Sequence, residues 1–159
     1  MPGSGKSTLG KQLAEKLDVP FVDLDQQIEE EEGMPIPEIF STKGEDYFRL
    51  VESQNLLGRT ASESSFVLAT GGGAPCFHDG INHMNASGLT VYLQVSITEL
   101  VERTARRKHR PLLVSENNIE LRHRLESLLQ KREAIYQKAK IIVSNPSVDL
   151  VLERIRTRM

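Results

Sequence analysis

Tryptophan is absent from this 159-residue chain, aromatic residues make up 5%, and there is one cysteine, Cys76. Each scarcity excludes something. So few rings argue against a platform on which single-stranded nucleic acid stacks its bases. A single cysteine rules out an internal disulfide framework and points to a reducing, cytoplasmic setting. No apolar run approaches the length of about 20 residues that crosses a bilayer, so no membrane association is expected. There is no secretory signal pattern. Charge of one sign is also lacking: 26% of the residues are charged, yet the net charge is −2, which disfavours non-specific nucleic-acid binding. His78, His83, His109 and His123 show no metal-ligand spacing, and with one cysteine no zinc site is expected. A chain of this length is most simply one domain, 1–159, and is expected to act as a monomer.

What is present begins at the first residue. Met1-Pro2-Gly3-Ser4-Gly5-Lys6-Ser7-Thr8 carries the end of the phosphate-binding pattern G-x-x-x-x-G-K-[ST]. The first glycine of that pattern falls one place before Met1. Glycines let consecutive backbone N–H groups turn toward a phosphate with no Cβ in the way. A helix starting near Lys6 adds its positive end. Lys6 is placed to reach the outer phosphates, and the Ser7 hydroxyl to ligate Mg²⁺.

Hydrophobic periodicity predicts helices over 7–17, 26–32, 36–42, 45–62, 81–86, 97–107, 119–138 and 148–158. Short buried strands are expected at 21–24, 66–70, 89–93 and 141–144, and a polar, basic loop at 108–118. Alternating strands and helices mean an α/β fold with a parallel sheet and right-handed crossovers. Ligands of such sheets bind beyond the carboxyl ends of the strands.

Three features fall at such ends: the phosphate loop, Asp23-x-Asp25, and Gly71-Gly72-Gly73. The two acids, on an extended segment, would point to one side. One would hold a Mg²⁺-bound water, and the other would accept a proton from a substrate hydroxyl; helix capping is the plainer alternative. Arg49 and Glu52, three apart on a helix, are within reach of each other. Either they form a surface ion pair, or Glu52 orients Arg49 to clamp a carboxylate. The basic stretch Arg103 to Arg110 is either solvated or a lid that brings an arginine onto a transferring phosphoryl group. Arg132 is a second clamp or plain helix charge.

Taken together, these segments resemble the shikimate kinases. The resemblance runs nearly the whole chain and rests on Gly3-Ser4-Gly5-Lys6-Ser7-Thr8, Asp23-Leu24-Asp25, Phe48-Arg49-x-x-Glu52, Gly71-Gly72-Gly73, Arg110-Pro111-Leu112-Leu113 and Arg132-Glu133-x-x-Tyr136. It implies a P-loop NTPase-type three-layer fold with strand order 2-3-1-4-5, and transfer of the ATP γ-phosphoryl to the 3-hydroxyl of shikimate, in aromatic amino-acid biosynthesis. It further implies that Asp25 is the base and that Arg49, Arg132 and the Gly71–Gly73 run hold shikimate. Lys6 and Arg110 would stabilise phosphoryl charge, with Arg110 in a lid about 108–118. Ser7, with Asp23 nearby through water, would hold Mg²⁺. Gly3, Ser4, Gly5, Thr8, Arg103 and Pro146 would complete the ATP site. A substrate-binding helical segment is expected at about 26–62.

The departure is at the beginning, where the family's middle strand, strand 1, has no counterpart in the chain. Its loss would leave strands 3 and 4 without a shared neighbour. The expectation is therefore that Met1 is an internal residue of a longer protein or a wrongly chosen start. Two other readings stay open: a related small-metabolite kinase acting on an acceptor such as gluconate, and a catalytically impaired remnant that binds nucleotide or shikimate.

Overall fold

The computed structural model describes residues 1–62, 64–107 and 114–158, with backbone alone for 107 and 114–117. Helix α1, Lys6–Leu17, follows the phosphate loop directly. Its N-cap, Gly5, has a left-handed φ of 88° and supplies no capping side chain, so the positive end of the helix faces the loop without a capping group. Strand β1, Phe21–Asp23, lies close under α1. A Cβ on Gly10 would come within 2.7 Å of the Phe21 ring, so this helix–strand approach requires glycine.

Three helices follow: α2 (Leu24–Glu32), α3 (Ile36–Lys43) and α4 (Glu45–Thr60). They close on one core of Leu24, Ile28, Ile39, Phe48, Val51 and Leu56. Then come β2 (Val67–Ala69), α5 (Gly80–Ser87), β3 (Val91–Gln94), α6 (Ile97–Arg107), α7 (Val114–Tyr136), β4 (Ile141–Ser144) and α8 (Val148–Arg156).

The strands pair in parallel, Phe21 with Val67 through Asp23 with Ala69, and Val91 with Ile141 through Gln94 with Ser144. Among the described residues there are thus two two-stranded ladders, β1–β2 and β3–β4. No described strand joins the two ladders. Residues just after β2 and the strand β3 line one cavity, which Met1 also lines.

Alternation along β3 sets the layers. Leu93 joins Leu13 of α1 and Val151, Leu152 and Ile155 of α8. Tyr92 points the other way, to Leu100 and Val101 of α6 and Leu121, Leu125 and Tyr136 of α7. The sheet pair β3–β4 is therefore a middle layer between helices, as the α/β reading requires.

Some boundaries differ from expectation. The strand expected over 21–24 ends at Asp23, because the Asp23 carboxylate accepts from the backbone N–H of Asp25 and Gln26 and so starts α2 at Leu24. Asp25 consequently sits in a helix's first turn, not on an extended segment. The long helix expected from 119 to 138 runs instead over Val114–Tyr136, so the later part of the expected 108–118 loop is helical. Residues 108–113, with Arg110, lie outside the described residues.

Candidate active site

The phosphate loop is folded onto itself around one carbonyl. The Met1 oxygen accepts from Ser4 Oγ and from Lys6 Nζ, each at 2.9 Å. Lys6 is thus held over the loop mouth by a backbone oxygen, the kind of partner a phosphate oxygen replaces. Gly3 takes a left-handed φ of 76°, and a Cβ there would meet Thr104 Oγ1 at 2.8 Å. Arg103 donates to the Ser4 carbonyl at 3.1 Å and pairs with Glu99, so α6 braces the loop from the side. Thr8 is exposed in the first turn of α1. Pro146 lies in the turn between β4 and α8.

Ser7 Oγ donates to Asp23 Oδ2 at 2.6 Å on the exposed rim. A hydroxyl beside a carboxylate suits Mg²⁺, a hard cation that keeps several waters and takes few protein ligands. Among the described residues no group of three or more His, Cys, Asp or Glu is arranged to hold a metal. A glycine-capped helix start, a lysine above it and this oxygen pair together fit a Mg²⁺–nucleotide.

The second half of the site is built on Gly71-Gly72-Gly73. Tight turns fix the run: Ala74 N–H donates to the Gly71 carbonyl, and Cys76 N–H to that of Gly73 at 2.7 Å. A Cβ at Gly73 would overlap the Arg49 guanidinium, and one at Gly72 would sit 3.3 Å from Arg132 Nη1. At Gly73 the Arg49 guanidinium takes the place of a side chain, while at Gly72 Tyr136 Oη and Arg132 Nη1 leave little room for one. Tyr136, one turn beyond Arg132 on α7, donates to the Gly72 carbonyl at 2.7 Å.

Arg49 is held on every side. Glu52 Oε2 accepts from Nη1 at 2.7 Å, and Glu45 Oε1 accepts from Nε and Nη2 at 3.1 and 3.0 Å. The Phe77 ring lies 4.4 Å from Cζ and the Phe48 ring 5.1 Å, so the planar cation stacks on aromatic faces. The Arg49–Glu52 pair is no surface pair: Glu52 is 2% exposed and Arg49 8%.

Asp25 faces the same spot. A Cβ at Gly71 would meet Asp25 Oδ1 and Glu52 Oε1, each at 2.8 Å. Burial, with the Asp23 charge second, pushes the Asp25 carboxyl above the usual range, against a lesser pull from Lys6 and Arg49. Burial likewise raises Glu52, which Arg49 partly opposes and Asp25 reinforces. A carboxylate with raised proton affinity beside two arginines is chemically able to take a proton from a hydroxyl.

The fold thus brings Lys6, Ser7, Asp23, Asp25, Arg49, Gly71–Gly73, Arg103 and Arg132 around one cleft. Sequence reasoning missed Glu45, the Phe77 face and the Thr104 hydroxyl. Glu45 was readable, since it stands four residues before Arg49 on one helix. Phe77 and Thr104 carried no local signal, because they reach the site through chain packing alone.

A glycine-walled phosphate cradle joined to an acid and two arginines defines a P-loop kinase of a small anionic acceptor. The family model that matches, over residues 2–156, is that of shikimate kinase, and the chain belongs to the shikimate kinase family. The shikimate kinase of Parabacteroides distasonis is 44% identical over 140 residues, spanning 87% of this chain and 80% of its own. That of Clostridium botulinum (strain Okra / Type B1) is 40% identical over 157 residues, 98% and 89% of the two chains. Among solved structures, shikimate kinase from Bacteroides thetaiotaomicron superposes with a TM-score of 0.84 at 35% identity, over 98% of this chain and 92% of that one. Shikimate kinase from Acinetobacter baumannii in complex with shikimate gives 0.85 at 34%, over 99% and 90%.

Proposed function

We propose that this chain phosphorylates the 3-hydroxyl of shikimate from ATP, giving shikimate 3-phosphate and ADP for aromatic amino-acid biosynthesis. The observation that carries this reading is the convergence on Gly71–Gly73 of Asp25, Arg49 and Arg132 across from the phosphate loop. The arginine pair receives the acceptor's carboxylate, with Arg49 pre-set by Glu52, Glu45 and the phenylalanine rings. Little reorganisation then accompanies binding. Asp25 accepts the proton of the attacking hydroxyl. Lys6 leaves the Met1 carbonyl for phosphate oxygens, and Arg103 secures the loop through Ser4. Ser7 and Asp23 hold the Mg²⁺ shell; the metal, when bound, neutralises charge on the phosphate oxygens.

Arg110 is assigned to a lid over the transferring group, Pro146 to the adenine edge, and residues 26–62 to the acceptor-binding segment of a single domain. No described helix is long and apolar enough to cross a membrane. A monomer working in the cytoplasm is the accompanying reading, supported by the lone thiol of Cys76. Coupled-assay ADP release with Mg-ATP tests the function, using shikimate and gluconate side by side. Shikimate-dependent release is expected. Release with gluconate alone would transfer the site to another acceptor, and binding of both substrates without release would make the chain a binding remnant.

A further inference from the structure

Phe77 stands at the tip of a turn whose backbone is tightly constrained. The ring is 37% exposed. Lone exposed apolar side chains are ordinary, so exposure alone decides nothing. The chain that presents the ring is less ordinary. His78 and Asp79 both take left-handed backbone, with φ of 49° and 59°, a conformation that non-glycine residues seldom adopt and that two in succession adopt at a cost. A Cβ on Gly80 would overlap the Ala74 carbonyl oxygen, so glycine is required to close the turn. Gly80 N–H donates to the Phe77 carbonyl at 2.9 Å, and Ile81 N–H to that of Pro75 at 3.0 Å. Ala74, Pro75 and Gly80 are buried, while Phe77, His78 and Asp79 stand out. The turn is thus anchored at both ends, and its tip carries the ring over the acceptor clamp.

Of the three rings around Arg49, Phe77 is the nearest to Cζ, at 4.4 Å against 5.1 Å for Phe48 and 5.7 Å for Phe40. Holding the guanidinium does not require it. Phe48, 3% exposed, already gives the cation an aromatic face, and Glu45 and Glu52 accept from Nε, Nη2 and Nη1. A guanidinium has five N–H groups, so two remain, one on each terminal nitrogen. The exposed part of the Phe77 ring borders the groups that a carboxylate would take. Resting on the reading of Arg49 as the clamp for the acceptor's carboxylate, we infer that Phe77 is a specificity-determining residue. Its ring is an apolar wall against which the carbon face of a cyclic carboxylate lies once Arg49 holds the charge. An open-chain polyhydroxy acid, bound by the same carboxylate, would lay hydroxyls against that ring, where they lose water and gain no partner. The wall therefore selects by penalising the wrong acceptor as well as by holding the right one.

Calorimetric displacement of shikimate from the full chain tests the wall, with cyclohex-1-enecarboxylate and gluconate as probes. Each carries one carboxylate; the first presents a bare ring and the second a chain of hydroxyls. The parent is expected to prefer cyclohexenecarboxylate. In Phe77→Ala that preference should shrink about tenfold, through weaker cyclohexenecarboxylate binding with gluconate affinity unchanged. Phe77→Leu, which keeps apolar bulk, should retain most of the preference. Equal weakening of both probes in Phe77→Ala would make the ring a mere support for Arg49 and overturn the proposal, as would a preference that does not move. A second measurement needs no variant: in the shikimate complex of the parent, NOEs from the Phe77 ring protons to the C–H protons of the bound acceptor are expected, and their absence would overturn the proposal. Failure of the underlying reading looks different, since the parent would then bind neither shikimate nor the two probes, and the wall would fall with the clamp.

Discussion

Replacing Arg49 by methionine tests how the acceptor clamp is held, and its magnitude follows from burial. Glu52 is 2% exposed, and among the described residues its carboxylate is hydrogen-bonded by Arg49 alone, at 2.7 Å. The thioether chain would fill much of the space between the phenylalanine rings but leave a buried charge unpaired. Breaking such a pair from one side costs about 3–5 kcal/mol, or about 6–20 °C in Tm for a chain of this size. Adding Glu52→Gln removes the stranded charge, so the double variant should recover at least about 2 kcal/mol. The pH dependence has a definite sign. Burial holds the Glu52 carboxyl above its ordinary 4.5, and Arg49 opposes this, so losing Arg49 raises it further. A carboxyl raised in the folded state favours folding below its unfolded pKa and loses that advantage as pH rises through the folded value. The Arg49→Met penalty should therefore shrink as pH falls toward the ordinary 4.5 and stand in full well above it. Urea unfolding of the four proteins of the cycle, at about pH 4 and about pH 8, measures it. A single variant within about 1 kcal/mol of the parent at the higher pH, with no gain from the second change, would refute the buried-pair argument.

Two further outcomes follow from the same geometry. Gly73→Ala drives a methyl group into the Arg49 guanidinium, so kcat/KM for shikimate should fall at least about tenfold, a loss of about 1.4 kcal/mol, with ATP binding by calorimetry little changed. With Met1 as a free amine, its burial, helped by Lys6 and Arg132, lowers its pKa from 8.0 to about 5. The unfolded chain then binds the extra proton, stability rises as pH goes from about 5 to about 8, and N-terminal acetylation should flatten that rise in thermal melts.

The sequence made the phosphate half of the site readable because its chemistry is local. Gly3 to Ser7 specify a turn, a helix start and a lysine within one short segment. The acceptor half was legible only in part. Arg49 with Glu52 could be read from helical spacing, but spacing alone left open whether the pair was exposed; the answer depended on α2, α3 and the Gly71–Gly73 run closing over it. Asp23 and Asp25 were read as alternate positions at the end of a strand. Capping by Asp23 Oδ1, which accepts from the Asp25 amide at 3.2 Å and the Gln26 amide at 3.5 Å, made the second of them helical and turned it toward Gly71. The convergence of Asp25 and Glu52 on Gly71 joins three well-separated stretches of chain, which no periodicity encodes. Among the described residues the ladders β1–β2 and β3–β4 are not joined, and one cavity is lined from both the β2 and the β3 side and by Met1.

The central claim is that Asp25 takes the hydroxyl proton while the arginine pair holds the acceptor. Single-turnover formation of shikimate 3-phosphate, followed by ³¹P NMR on the full chain and on Asp25→Asn, tests it most directly. The account predicts product from the parent, and a rate about 10²–10⁴-fold lower in the variant with shikimate affinity largely kept. Equal rates in the two proteins would contradict it.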